Sequence, residues 1–328
     1  MRERLREQRG RGRLLLAKWR REPATLGASE LGRWPDAPWR TRLLRRARVP
    51  AAAVAAVPFG GPRGARLVED LAFWEGVRGE ATAAEWRRLT SSYSVLVYHR
   101  FAGELKPGQE RIDLDPRRFS RQQRALRLAG FRALPAERML AFQAGVENAL
   151  PRRAYAITVD DAMADAVEPL RRAASLHPQL FVPTAELGGT AHWIDGERVA
   201  EWAEVEGLAA AGVAIGSHTR HHRRLTELGA EDRERELTGS LAELRERIPD
   251  ALEVLAYPNG DHDPVVCEAA RKAGYRAAFT TEKGRNGAGT DPFRLRRVSV
   301  HGADGALAIL WKALTGEALP GIWLRLRR

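Results

Sequence analysis

From about residue 93 onward, short apolar runs alternate with longer stretches of helical period. Runs rich in Val, Ile, Leu and aromatic residues predict strands near 94–98, 131–134, 154–159, 179–183, 213–217, 253–257, 275–280 and 295–300. Between them, "DPRRFSRQQRALRLAG" (115–130), "DAVEPLRRAASLH" (165–177), "EDRERELTGSLAELRERI" (231–248) and "DPVVCEAARKAG" (263–274) predict helices. The last is punctuated at both ends, with Asp263 suited to the cap, Pro264 to the first turn and Gly274 to the exit. Strand and helix alternating in this way predict an α/β fold with a parallel sheet. Seven or eight such units predict a closed or distorted (β/α) barrel.

The first 92 residues read differently. They are basic, dotted with Trp and broken by Pro and Gly, with helical pieces such as "GARLVEDLAFWEGVR" (64–78). The pattern predicts a basic, largely helical N-terminal extension over 1–92, which cannot easily form a core alone, and a barrel domain over 93–328.

Charge sharpens this division. The net charge is +12, and residues 1–50 hold 15 Lys or Arg against 5 Asp or Glu. An acidic partner would therefore meet the extension and not the barrel, and an anionic membrane surface fits as well as nucleic acid. Arg dominates Lys along the whole chain, which reads as a compositional habit. A single cysteine, Cys267, excludes an internal disulfide. The apolar stretch in "RGRLLLAKWRR" is too short for a signal core, and "VPAAAVAAVPF" (49–59) is too short to span a bilayer. The expected location is cytoplasmic or peripheral to a membrane.

In parallel α/β architectures, reactive groups gather at the carboxyl ends of the strands. The polar residues found there are His99, Asp160 and Asp161, His218, and the turn "PNGDHD". His218 and His222 are four residues apart, so on a helical turn they would share a face and hold one ion, with His221 competing. Asp161 would add an oxygen ligand, and the open positions of such a site suit zinc, iron, cobalt or manganese. Asp160 would then be free to act as a base. Adjacent acids equally suit a helix cap and its neighbour, and a His-rich turn is a common surface feature.

In order and spacing, these motifs resemble the polysaccharide deacetylases from about Ser94 to about Gly302, notably enzymes acting on poly-N-acetylglucosamine and chitooligosaccharides. "TVDDA" (158–162) resembles the family's TFDDG, which implies Asp160 as catalytic base and Asp161 as metal ligand. "HTRHH" (218–222) implies His218 and His222 as the other ligands, with His221 an onlooker. "AYPNGDHD" (256–263) is similar to a third motif, implying Tyr257 and Asn259 beside the substrate and an oxyanion-binding amide at Asn259. "VLVYHRF" (95–101) implies His99 as general acid, and "VSVHG" offers His301 as the alternative acid.

The resemblance implies one divalent metal ion, Zn2+ foremost with Co, Mn, Ni or Fe also suited, and an N-acetylated carbohydrate substrate. It implies hydrolysis of N-acetyl groups and, since members of the family commonly work outside the cytoplasm, an extracytoplasmic location as the alternative to the cytoplasmic one. An O-acetyl esterase, or a non-catalytic carbohydrate-binding or assembly protein on the same fold, are the alternatives; a further one is a nucleic-acid or membrane protein working through its basic segment. Three positions depart from the family pattern. Val159 replaces an aromatic, Ala162 replaces a glycine, and Ala256 replaces the arginine that orients the base, which is therefore expected to lack that partner. Trp193 and Trp202 offer flat faces to a sugar ring, with burial in the core as the alternative.

Overall fold

The computed structural model describes residues 1–37, 39–55, 62–102, 113–194 and 196–319. The chain divides into two compact units. One comprises Met1–Ser92, Phe142–Leu150 and Asn286–Thr290, the other Tyr93–Ala141, Pro151–Arg285 and Asp291–Arg328.

In the first unit, helices α1 (Arg2–Arg21), α2 (Trp39–Arg46), α3 (Ala51–Ala55), α4 (Pro62–Glu80) and α5 (Ala83–Thr90) do build a core of their own, contrary to expectation. Two glycines make it possible. A Cβ on Gly12 of α1 would meet the Phe73 carbonyl oxygen at 2.4 Å, and one on Gly76 of α4 would meet the Arg9 carbonyl oxygen at 2.1 Å. Only glycine allows backbones to approach this closely, and the gain is a dense seam of Leu16, Leu31, Trp34, Phe73, Trp74 and Val77. Trp34 meets Trp74 edge to face at 4.8 Å between ring centroids.

The basic residues are engaged here as well. Arg9 pairs with Glu75 at 2.9 Å, Arg11 with Glu30 at 2.7 Å and Arg20 with Glu85 at 2.7 Å. The positive charge of residues 1–50 thus partly answers acids on α4 and α5. No helix among the described residues is long and apolar enough to cross a membrane. Residues 56–59 of the "VPAAAVAAVPF" stretch lie outside the described residues.

The second unit holds the sheet: β1 (Ser92–Tyr98), β2 (Arg132–Ala133), β3 (Ala154–Val159), β4 (Gln179–Val182), β5 (Ala214–Ser217), β6 (Val254–Ala256) and β7 (Ala277–Phe279). Its order is β7-β6-β5-β4-β3-β1, all parallel, with β2 beside β3 and the short strand Val298–Ser299 beside β1. The sheet curls into a partial barrel, the expected distorted (β/α) form. Helices α6 (Pro116–Leu128), α7 (Ala136–Gln143), α8 (Val167–Arg172), α9 (Trp202–Ala210), α10 (Ala230–Arg247), α11 (Pro264–Lys272) and α12 (Ala306–Thr315) complete the unit. Every residue of β3 is buried, as covering both faces of a parallel sheet requires.

Local signals decide the helix ends. The Asp263 side chain accepts from the Val266 N–H at 2.7 Å, Pro264 opens α11 and Gly274 follows its end, as the sequence predicts. The helix predicted over 165–177 is instead broken. It runs as a 3-10 turn, α8, and a second 3-10 turn that stops at His177 with φ +52°. His177 precedes Pro178, whose ring disfavours right-handed helix at that position.

Candidate metal centre

Strand β3 delivers the two acids. The Asp160 N–H donates to the Tyr98 carbonyl at 3.0 Å, continuing the β1–β3 pairing by one step, and the chain then turns sharply. Asp161 and Ala162 take φ of +72° and +51°. Asp tolerates this left-handed region, whereas for Ala it costs about 1–2 kcal/mol. The departure from glycine at 162 therefore falls where the backbone would favour glycine.

The histidines arrive from β5. Thr219 and His222 have φ of +67° and +55°, so 218–222 is an irregular loop and not the helical turn that the i, i+4 spacing predicts. Two left-handed residues achieve the same convergence. His218 Nε2 lies 3.4 Å and His222 Nε2 3.2 Å from Asp161 Oδ1. All three side chains are buried, with their ligand atoms within 4.8 Å of one another. His221 turns away, its Nδ1 2.7 Å from Glu236 Oε1.

The ring of His218 is locked by its other nitrogen, which sits 2.7 Å from the Ala256 carbonyl. A carbonyl only accepts, so Nδ1 carries the hydrogen and Nε2 is left to face Asp161. His222 is held differently, stacked on Trp193 with centroids 4.3 Å apart and planes 16° off parallel.

This arrangement fits a metal ion. Neutral imidazole nitrogens and an ionised carboxylate all present lone pairs to one point, which is favourable only with a proton or a cation between them. Ligand atoms at about 2.0–2.2 Å from a tetrahedral zinc stand roughly 3.3–3.5 Å apart, close to the separations seen. Burial would raise the Asp161 pKa, yet the close approach of His218 and His222 holds it well below the ordinary carboxylate value. Burial depresses His218, but Asp161 and Asp160 outweigh it and raise the pKa; for His222 burial wins and the pKa falls.

Asp160 has the partner that the sequence withheld. Arg297, fully buried, places Nη1 2.7 Å from Asp160 Oδ1 and anchors itself through Nε to the Thr280 carbonyl at 3.0 Å. The expectation of a base without an arginine is thereby corrected: the guanidinium comes from the segment entering Val298–Ser299 and not from position 256. Burial pushes the Asp160 carboxyl up, but the neighbouring guanidinium and His218 prevail, and its pKa is lowered. The only hint in sequence was a charged residue at the threshold of an apolar run.

His99 follows β1 directly, in the row adjoining Asp160, because Tyr98 pairs with Val159. It is half-buried, and among the described residues its Nδ1 has no hydrogen-bond partner. His301 reaches the same end of the sheet beside β1. Its N–H donates to Asp304 Oδ2 at 2.7 Å, the carboxylate that also takes Lys312.

Tyr257 is not at the opening. Its hydroxyl donates to the Phe293 carbonyl at 3.2 Å and its N–H to the Phe279 carbonyl at 3.0 Å, so both polar groups are consumed in the core beneath α11. The expectation of a substrate-contacting Tyr257 fails because its side chain packs into that apolar cluster. Asn259 is exposed in the turn after β6, with φ +59°. Trp202 packs on the barrel core under the Arg247 guanidinium, 4.9 Å above its ring.

The family model described as polysaccharide deacetylase matches residues 147–278, which hold Asp160, Asp161, His218 and His222. The Bacillus subtilis protein YxkH, a polysaccharide deacetylase by name, is 26% identical over 147 residues, 44% of this chain and 50% of its own. The chain thus spans about half the length of this curated relative. Among solved structures, the Streptococcus pyogenes deacetylase PplD in complex with acetate superposes with a TM-score of 0.57 at 18% identity, over 67% of this chain and 96% of that one. A Bacillus cereus polysaccharide deacetylase gives 0.58 at 21% identity, over 68% and 69%. IcaB from Ammonifex degensii gives 0.55 at 24% identity, over 69% and 97%. At these identities the structures establish a common fold. The family match over residues 147–278 spans both acids and both histidines, and over that stretch the chain resembles a polysaccharide deacetylase domain.

Proposed function

We propose that the chain is a metal-dependent hydrolase that removes N-acetyl groups from an N-acetylated amino-sugar polymer or glycoconjugate. One observation carries this reading: two imidazoles and a carboxylate converge on one point while a second carboxylate beside them is held off by Arg297. A divalent ion at Asp161, His218 and His222 would supply Lewis-acid polarisation of the acetamide carbonyl and a more acidic water. Zinc suits the two-nitrogen, one-oxygen donor set best, and cobalt, manganese, nickel or iron are also accommodated.

The chain's own groups then divide the proton work. Asp160, kept ionised by Arg297, accepts the proton of the attacking water. His99 donates to the departing amine, which leaves poorly without it. His99 is preferred to His301 because it follows β1 in the row adjoining Asp160. The backbone N–H of Asn259, in the turn beyond β6, serves the developing oxyanion, while Tyr257 contributes no group to substrate. The chemistry belongs to residues 93–328, and acetate bound to the PplD relative accords with acetate as product.

The test is acetate release from an N-acetylated chitooligosaccharide by the zinc- or cobalt-loaded chain and by Asp160→Asn. The wild type is expected to release acetate, and the variant to lose about 10²–10⁴-fold in rate while keeping its metal. A wild type that holds metal and binds the sugar yet releases nothing would establish the carbohydrate-binding alternative. Release from acetyl esters alone would make it an O-acetyl esterase.

A further inference from the structure

We infer that Glu236 is a positioning residue that sets the metal-binding loop and thereby aims His222, resting on the reading of Asp161, His218 and His222 as ligands. Glu236 projects from α10 and is 4% exposed. Its Oε2 accepts the N–H groups of Arg220 at 3.0 Å and His221 at 2.9 Å, and its Oε1 faces His221 Nδ1 at 2.7 Å. Both oxygens are therefore occupied by three donors from two consecutive residues, and the next residue is His222.

The loop needs such an anchor. It has no helix or strand to satisfy its amides, and Thr219 and His222 both sit in the left-handed region. Buried N–H groups without partners cost about 1–3 kcal/mol each, so the conformation persists only where something accepts from them. One turn further along α10, Ser240 meets Ser217 hydroxyl to hydroxyl at 2.7 Å. Ser217 Oγ in turn accepts the Thr219 N–H at 3.1 Å and the Tyr275 hydroxyl at 2.8 Å. Positions 236 and 240 share one face of the helix, and together they grip 217–221. The two ligand rings are thus aimed by separate means: His218 by the β6 carbonyl, His222 by a loop whose shape depends on a helix-borne carboxylate. His221, idle as a ligand, acts as the third point of that grip.

The experiment is competition of Zn2+ and Co2+ against a chromophoric chelator, with the visible spectrum of the Co2+ form, for the wild type, Glu236→Gln and His221→Phe. Glu236→Gln can keep its amide oxygen on the two backbone N–H groups, but it loses the charge and sets its NH2 against the His221 Nδ1 donor, and is expected to weaken metal binding by about 10- to 100-fold. The Co2+ bands should shift, because the His222 donor moves. His221→Phe keeps both backbone hydrogen bonds and is expected to lose less than Glu236→Gln, with a smaller spectral change. A merely structural role would lower the melting temperature and leave affinity and spectrum alone, and that result overturns the proposal. Should Glu236→Gln not fold, His221→Phe with wild-type affinity and spectrum overturns it by itself. A wild type that takes up no metal sinks the metal reading as well, whereas a metal-binding wild type with indifferent variants sinks the grip alone.

Discussion

The helical unit and the rim of the barrel both shelter carboxylates, one partly buried and one fully, and they satisfy them in opposite ways. Glu75 in α4 receives Arg9, Arg45 and the Ala51 N–H at 2.9, 3.3 and 2.6 Å, every one a donor. Asp161 instead faces two imidazole nitrogens, one of them held by its ring partner in the form that lacks a hydrogen on that side. Where acceptors meet donors, the result is a closed interaction that stabilises a fold. Where acceptors meet acceptors, the fold has stored a demand for a cation, and the rest of the barrel must supply the stability that this rim forgoes.

That contrast can be broken most severely at Arg297. Arg297→Met leaves Asp160 buried without its counter-charge and is expected to cost about 3–5 kcal/mol in denaturant unfolding. The pH consequence has a definite sign. A carboxyl with a lowered folded pKa contributes stability that is complete above its unfolded value of about 3.9 and lost as pH falls below it. Without the guanidinium, burial acts with less opposition and moves that pKa up. The acidic limb of kcat/KM for acetate release should accordingly shift to higher pH, and an unmoved limb would remove Arg297 from the proton work.

In the helical unit the sensitive points are steric. Gly76→Ala drives a methyl into the Arg9 carbonyl and should cost about 1–3 kcal/mol by overpacking, with metal affinity unchanged. A parallel loss of metal binding would show that the two regions are not independent in stability. Glu85 is a gentler probe. It closes a capping box with Thr82 and accepts from Arg20, and the Arg20 hydrogen bond first of all brings its pKa down to about 2. Its contribution is complete above about pH 4.3 and fades as pH falls toward 2. Glu85→Gln should lower stability by about 1 kcal/mol at neutral pH, the gap to wild type narrowing in acid melts. Smallest of all, Ala162→Gly relieves a left-handed alanine at the rim and should add up to about 1 kcal/mol, with no change in the metal that binds.

Much was legible along the chain because its causes are local. The limits of β3, the Asp263 cap and Pro264 start of α11, the parallel alternation of strand and helix, and the pairs Asp160–Asp161 and His218–His222 all follow from neighbours in sequence. Periodicity and turn chemistry act over a few residues, and a single string of letters records them. The expected helical turn at 218–222 shows the limit of this reasoning. Spacing announced that two histidines would meet, but the backbone that brings them together depends on Glu236, Ser217 and Ser240.

Other features required the folded chain because they join residues far apart. Arg297 finds Asp160 across 137 positions, and the Ala256 carbonyl orders His218 across 38. Tyr257 turns into the core although its motif suggested the opening, and two glycines let a basic, Trp-rich segment close on itself. Which residues are capable of holding an ion is written in their chemistry. Whether they face it, what keeps the base charged and which tryptophan backs a ligand are questions of distance, and distance exists only once the strands have been brought side by side.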